Sequence, residues 1–118
     1  MRVFFYLSSC DTCKRIMKTL NLDASIEQID IKKNPLTEAQ LDELFQCSQS
    51  YEILFSKRAQ LYKERGLKEQ ALTEADYRTL ILEHYTFLKR PVLLYNETIF
   101  IGNSSKVVDA AKKFLDEQ

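Results

Sequence analysis

Loop-forming residues are scarce in this chain, with two glycines and two prolines in 118 positions. Long flexible connections are therefore excluded, because these residues supply most turn and linker conformations. An excess of charge of one sign is also missing. Seventeen Lys and Arg balance seventeen Asp and Glu, so no global field draws the chain directly to nucleic acid or to an anionic membrane. No apolar run reaches bilayer-spanning length. No leading stretch has the basic start, apolar middle and small-residue cleavage site of a secretory signal, so the cytoplasm is the expected compartment. Three cysteines make an odd number, which argues against a secreted disulfide scaffold.

What remains is an ordinary globular composition, 45% hydrophobic and 29% charged, in a length that suits one domain over residues 1–118. "RVFFYL" at the start is aromatic and β-branched and reads as a buried strand. From Cys10, apolar residues recur at helical steps through Cys13, Ile16, Met17 and Leu20, ending near Asn21. "SIEQIDI" (25–31) alternates as a second strand. The stretch from about 36 to 88 reads as a helical block. Thr37 and Gln40 form a capping box, a break falls near Ser56, and Gly66 closes a helix. Thr73 opens another helix, with an inward stripe of Tyr77, Leu80, Ile81, His84, Tyr85 and Leu88. "RPVLLYNETIFIG" predicts two strands around Asn96-Glu97. Asn103 or Ser104 then caps a last helix, with Val107, Val108, Ala111, Phe114 and Leu115 inside. The order is β-α-β, a helical insert, then β-β-α: an α/β fold.

The chemistry concentrates in "SSCDTCK" (8–14). A strand running straight into C-x-x-C at a helix start is informative. Residues three apart on a helix lie about 5–6 Å from each other on one face, within disulfide reach. The unpaired N–H groups of the first turn favour a thiolate at Cys10. Lys14 and Arg15 add positive potential, which Asp11 partly offsets. Cys13 lies on the inward stripe and Cys10 at the open end, so Cys10 is the expected attacking thiolate and Cys13 the resolving thiol. Two other readings stand beside this one. A zinc site needs four ligands, for which the chain offers only Cys47 and His84 beyond the pair. Alternatively, both cysteines are inert and Cys13 is simply core.

The segments "YLSSCDTCKRIMKTL", "LFSKRAQLYKERGL" and "FLKRPVLLYNETIFIG" together resemble the ArsC/Spx family, thioredoxin-like proteins in which a helical insert separates the two halves. The likeness spans essentially the whole chain. It implies arsenate-reductase-like thiol–disulfide chemistry at Cys10, with Cys13 closing an internal disulfide, and no metal or organic cofactor. Arg90 matches a family arginine that binds an oxyanion and lowers the thiol pKa, and Pro91 matches a proline that is typically cis. Arg58 matches an arginine of Spx-like and reductase-like homologues. Ser56 and Asn103 stand where arsenate reductases carry two further arginines. Expected catalytic residues are therefore Cys10, Cys13 and Arg90, and expected substrate-binding residues Arg58, Arg90 and Pro91. The implied partner is glutathione or a thioredoxin- or glutaredoxin-type reductant. The alternative is a Spx-like redox-sensing regulator that binds RNA polymerase. Lys14 and Lys57 read as solvated charges, Cys47 as a packing residue and His84 as a boundary residue facing a helix C-terminus.

Overall fold

A computed structural model describes all 118 residues. The elements are β1 (Arg2–Tyr6), α1 (Asp11–Leu20), β2 (Glu27–Asp30), α2 (Glu38–Ser48), α3 (Tyr51–Leu54), α4 (Gln60–Glu64), α5 (Glu74–Glu83), β3 (Val92–Tyr95), β4 (Thr98–Ile101) and α6 (Ser105–Asp116). They divide into two compact units. Met1–Asn34 with Arg90–Gln118 form the first, and Pro35–Lys89, the expected insert, form the second.

In the first unit a four-stranded sheet has the order β2-β1-β3-β4. β1 and β2 are parallel, as a strand pair joined by a helix must be, and β3 runs antiparallel to both β1 and β4. The core cluster joins Phe4, Leu93 and Tyr95 of the sheet to Ile16 and Leu20 of α1 and Ala111 of α6. The opposite strand phase, Val3, Phe5, Val92 and Leu94, is buried too, which explains why these strands read as continuous apolar runs. The β3–β4 turn has no glycine. Asn96 takes φ +56° in its place, the one-residue left-handed conformation that asparagine tolerates. Ser104 is the cap of α6, accepting from the Val107 N–H.

The second unit is helical. Thr37 and Gln40 form the expected capping box at α2. Thr73 and Asp76 form another at α5. Phe55 is central, with its ring stacked on Phe87 at 5.2 Å and tilted against Tyr77 at 4.9 Å. The expected break near Ser56 falls over residues 55–59, between α3 and α4. Gly66 follows α4 with φ +63°, a left-handed residue just past the helix end.

One helix is shorter than its apolar stripe predicts. The stripe through His84, Tyr85 and Leu88 implies a continuous helix, but α5 ends at Glu83 and His84 is extended, with φ −149° and ψ 134°. The cause is local. The His84 ring nitrogen Nδ1 accepts the Thr86 N–H at 3.2 Å and shares a contact with the Thr86 hydroxyl at 2.8 Å. That pairing caps a following 3-10 turn, Tyr85–Phe87, and diverts a donor that helix continuation needs. Leu88 is buried in an isolated bridge with Phe55, not on a helix face.

Candidate active site

The site grows from the turn that joins β1 to α1. Ile31 N–H donates to Tyr6 C=O at 2.9 Å, carrying the parallel pairing to the last residue of β1. The chain then turns sharply, and Cys10 N–H donates back to Leu7 C=O at 3.0 Å. Ser8 and Ser9 are the central turn residues, a role their short polar side chains suit. Cys10 thus arrives as the N-cap of α1, with φ −98° and ψ 111°. It is half-buried, whereas Cys13, one turn on, is 1% exposed.

These positions make the two thiols unequal. Burial pushes the Cys10 thiol up, but the Cys13 N–H, the Cys13 thiol and the Thr12 N–H, donors near its sulfur that favour the thiolate, outweigh it. The positive charge of Arg90 acts in the same direction, and the net shift is downward. Cys10 accepts no side-chain capping hydrogen bond, so these donors act through their proximity to the sulfur at the start of α1. Cys13 moves the other way. Burial raises it first, and its bond and repulsion with the Cys10 sulfur raise it further. The Leu7 N–H and Arg90 oppose that rise, leaving Cys13 at about 11. One sulfur is therefore prepared to ionise and its neighbour to hold a proton and donate it.

Arg90 precedes β3 and joins Pro91 through a cis peptide bond, the isomer that the resemblance implies. Pro91 is buried, and its carbonyl accepts the Gly102 N–H at 2.9 Å. Gly102 has φ +95°, a conformation that favours glycine, so the Pro91 carbonyl, one residue past Arg90, is held from the end of β4. Removing this charge has a defined sign. Arg90→Ala is expected to move the Cys10 iodoacetamide rate–pH profile towards higher pH. The effect should be smaller than that of the helix N–H groups, because Arg90 contributes less to the lowered pKa than they do. An unmoved profile would remove Arg90 from the site.

Cys10, Cys13, Arg90 and Pro91 thus belong to one unit, and Arg58 belongs to the other. Arg58 is exposed in the turn between α3 and α4. Next to it, Lys57 is exposed, as expected of a solvated charge, and pairs with Glu52 at 2.6 Å. Lys14 and Arg15 are exposed on α1, as expected of solvated residues, and Asn103 is exposed before α6. Cys47, on α2, and His84 are both in the second unit. No group of three or more His, Cys, Asp or Glu side chains stands close enough to share a metal ion.

One residue that sequence reading passed over bonds to the same turn. Asp30, at the end of β2, is 5% exposed and is the one buried charged residue of the chain. Its carboxylate accepts the Ser8 hydroxyl and the Lys32 N–H. The available signal was an acidic residue between Ile29 and Ile31, at the apolar end of a strand.

A parallel β-α-β unit, a β-β-α unit, a C-x-x-C at the first helix and a cis-proline entering the third strand define a thioredoxin-like protein. The chain belongs to the ArsC family, a family of thiol-oxidoreductase type, which it matches over residues 5–111. It is 25% identical to the global transcriptional regulator Spx 2 of Bacillus cereus, across 98% of this chain and 87% of that one. A possible arsenate reductase from Streptococcus mutans is 27% identical, with a TM-score of 0.66 over 92% of this chain and 98% of its own. The arsenate reductase of Vibrio cholerae superposes with a TM-score of 0.76 over 95% of each chain at 16% identity, which speaks to fold alone. No helix is long and apolar enough to cross a membrane.

Proposed function

We propose that the protein is an arsenate-reductase-like thiol–disulfide oxidoreductase working through Cys10 and Cys13. The observation that carries this reading is the placement of two sulfurs one helical turn apart, Cys10 accessible at the start of α1 and Cys13 buried behind it, with Cys10 shifted downward and Cys13 upward to about 11 in keeping with those positions. In disulfide exchange the Cys10 thiolate attacks one sulfur of a substrate disulfide and expels the other as a thiolate. Cys13 then gives up its proton and attacks the Cys10 sulfur. The internal disulfide forms, the second substrate thiolate leaves, and two electrons have passed to the substrate. An external dithiol, or two glutathione molecules, returns them. With an oxyanion such as arsenate, Cys10 forms the first covalent bond and loss of hydroxide replaces thiolate expulsion. Arg90 supplies positive charge for either anion. The positions of Ser56 and Asn103, where arsenate reductases carry arginines, favour a disulfide over arsenate as substrate.

The similarity to Spx 2 along nearly the whole chain favours a second reading, in which the same pair senses oxidation in a regulator that binds RNA polymerase. Mass spectrometry of the peptide carrying residues 10–13, before and after mild oxidation, tests what both readings require. The expected result is the loss of two hydrogens, reversed by dithiothreitol. No such loss would end both readings. Reduction of arsenate or of a disulfide with glutathione or thioredoxin then supports the enzyme. Oxidation-dependent capture of polymerase subunits, without turnover, supports the regulator.

A further inference from the structure

Asp30 has no part in the exchange just described, yet it is the only charged side chain that the fold buries. One partner lies in the turn that delivers the cysteines and the other on its own segment, just past β2. The carboxylate accepts the Ser8 hydroxyl and the Lys32 N–H, and the nearby Ser8 N–H favours its ionised form. Its own backbone is fixed, with its carbonyl accepting the Asn34 N–H at 2.9 Å and Ile31 bonded to Tyr6. Ser8 is therefore held from outside the turn by its side chain. The residue next to it, Leu7, serves both sulfurs. Its carbonyl accepts the Cys10 N–H at 3.0 Å, and its N–H is directed to the Cys13 sulfur. A carboxylate removed from water and satisfied by several donors is a rigid anchor, and losing it leaves those donors unpaired.

We propose that Asp30 is a positioning residue for the cysteine pair, holding the Leu7–Ser8 hinge so that Leu7 presents its carbonyl to Cys10 and its N–H to Cys13. The inference rests on the thiol–disulfide reading of the site. The Ser8 hydroxyl is the first cause holding the Asp30 carboxyl below its ordinary range, with burial opposing and Lys33 assisting. Asp30 is thus ionised throughout the range in which Cys10 titrates, and its own protonation does not distort that titration.

Charge and position act with opposite signs, which makes the test decisive. Removing a nearby negative charge on its own would favour the Cys10 thiolate. Loosening the hinge would disfavour it, because the N–H groups that stabilise the thiolate are no longer held in place. Asp30→Asn removes the charge and turns an NH2 towards groups that donate. Its iodoacetamide rate at neutral pH is expected to fall roughly fivefold, the scale of one lost hydrogen bond, with the rate–pH profile moved to higher pH. Ser8→Ala keeps the carboxylate and removes one bond, and should shift the profile the same way by less. Closure of the Cys10–Cys13 disulfide by oxidised glutathione should slow in both variants. A faster alkylation rate in Asp30→Asn, or an unmoved profile in folded Asp30→Asn, overturns the proposal. If circular dichroism shows that variant unfolded, the Ser8→Ala profile decides in the same terms. Alkylation needs no substrate, so an absence of any disulfide in the wild-type protein would count against the redox reading and not against the role of Asp30.

Discussion

Cys10→Ser is expected to reduce thiol-dependent turnover by about a thousandfold or more, the scale of losing an enzyme's nucleophile. The reason lies in ionisation, because a serine hydroxyl stays protonated where the Cys10 thiol is set to lose its proton. The donors that lower the thiol, led by the Cys13 N–H, remain in place, so the substitution removes the reacting sulfur and little else. Serine is also a better N-cap than cysteine, and Cys10 caps α1 without a side-chain hydrogen bond. The variant should melt at the same temperature as the wild type or somewhat higher. Loss of activity with stability retained assigns the effect to chemistry. A Cys10→Ser protein that still reduces arsenate or disulfides would show that the chemistry is elsewhere.

Where the site begins was legible because it depends on local pattern. The switch from strand to helical spacing at Cys10 fixes which cysteine is outermost, and Cys13 falls on the apolar stripe that the fold buries. The helix caps at Thr37 and Thr73 were legible for the same reason, and that of α6 to within Asn103 or Ser104, since each cap pairs with a backbone N–H three residues on. The cis bond before Pro91 was not open to such reasoning. An X-Pro dipeptide is compatible with either isomer, and only the resemblance pointed to cis. The end of α5 was missed because an apolar stripe does not record that the His84 ring captures the Thr86 N–H. Asp30 was missed for a different reason. Strand alternation reports which face a residue takes but not which partner it finds, and Ser8 lies twenty-two residues away. Local pattern therefore located the sulfurs, while the long-range hydrogen bonds around them became visible only in three dimensions.

Cys13→Ser is expected to halt the reaction halfway, with substrate or glutathione held at Cys10 as a mixed disulfide visible by intact-protein mass spectrometry. Serine is the informative replacement because its hydroxyl still accepts the Leu7 N–H, so the buried position keeps a polar partner. The wild-type protein escapes this state because Cys13 is already oriented, and oriented intramolecular groups act at effective concentrations on the order of 10⁵ M or more. The barrier to escape changes as the reaction proceeds. Burial accounts for most of the rise of Cys13 to about 11, but its bond to the Cys10 sulfur and that sulfur's negative charge also contribute. Both disappear once Cys10 is in a mixed disulfide, while the Leu7 N–H and Arg90 still favour the Cys13 thiolate. Cys13 is therefore held protonated while Cys10 is free and becomes easier to ionise once Cys10 has reacted. Resolution should accelerate with pH, by about tenfold per unit while Cys13 remains mostly protonated. Stopped-flow release of a chromogenic thiol from the mixed disulfide measures this slope. A flat pH dependence, or a Cys13→Ser protein turning over at the wild-type rate, would mean that an external thiol resolves the intermediate and that Cys13 is core.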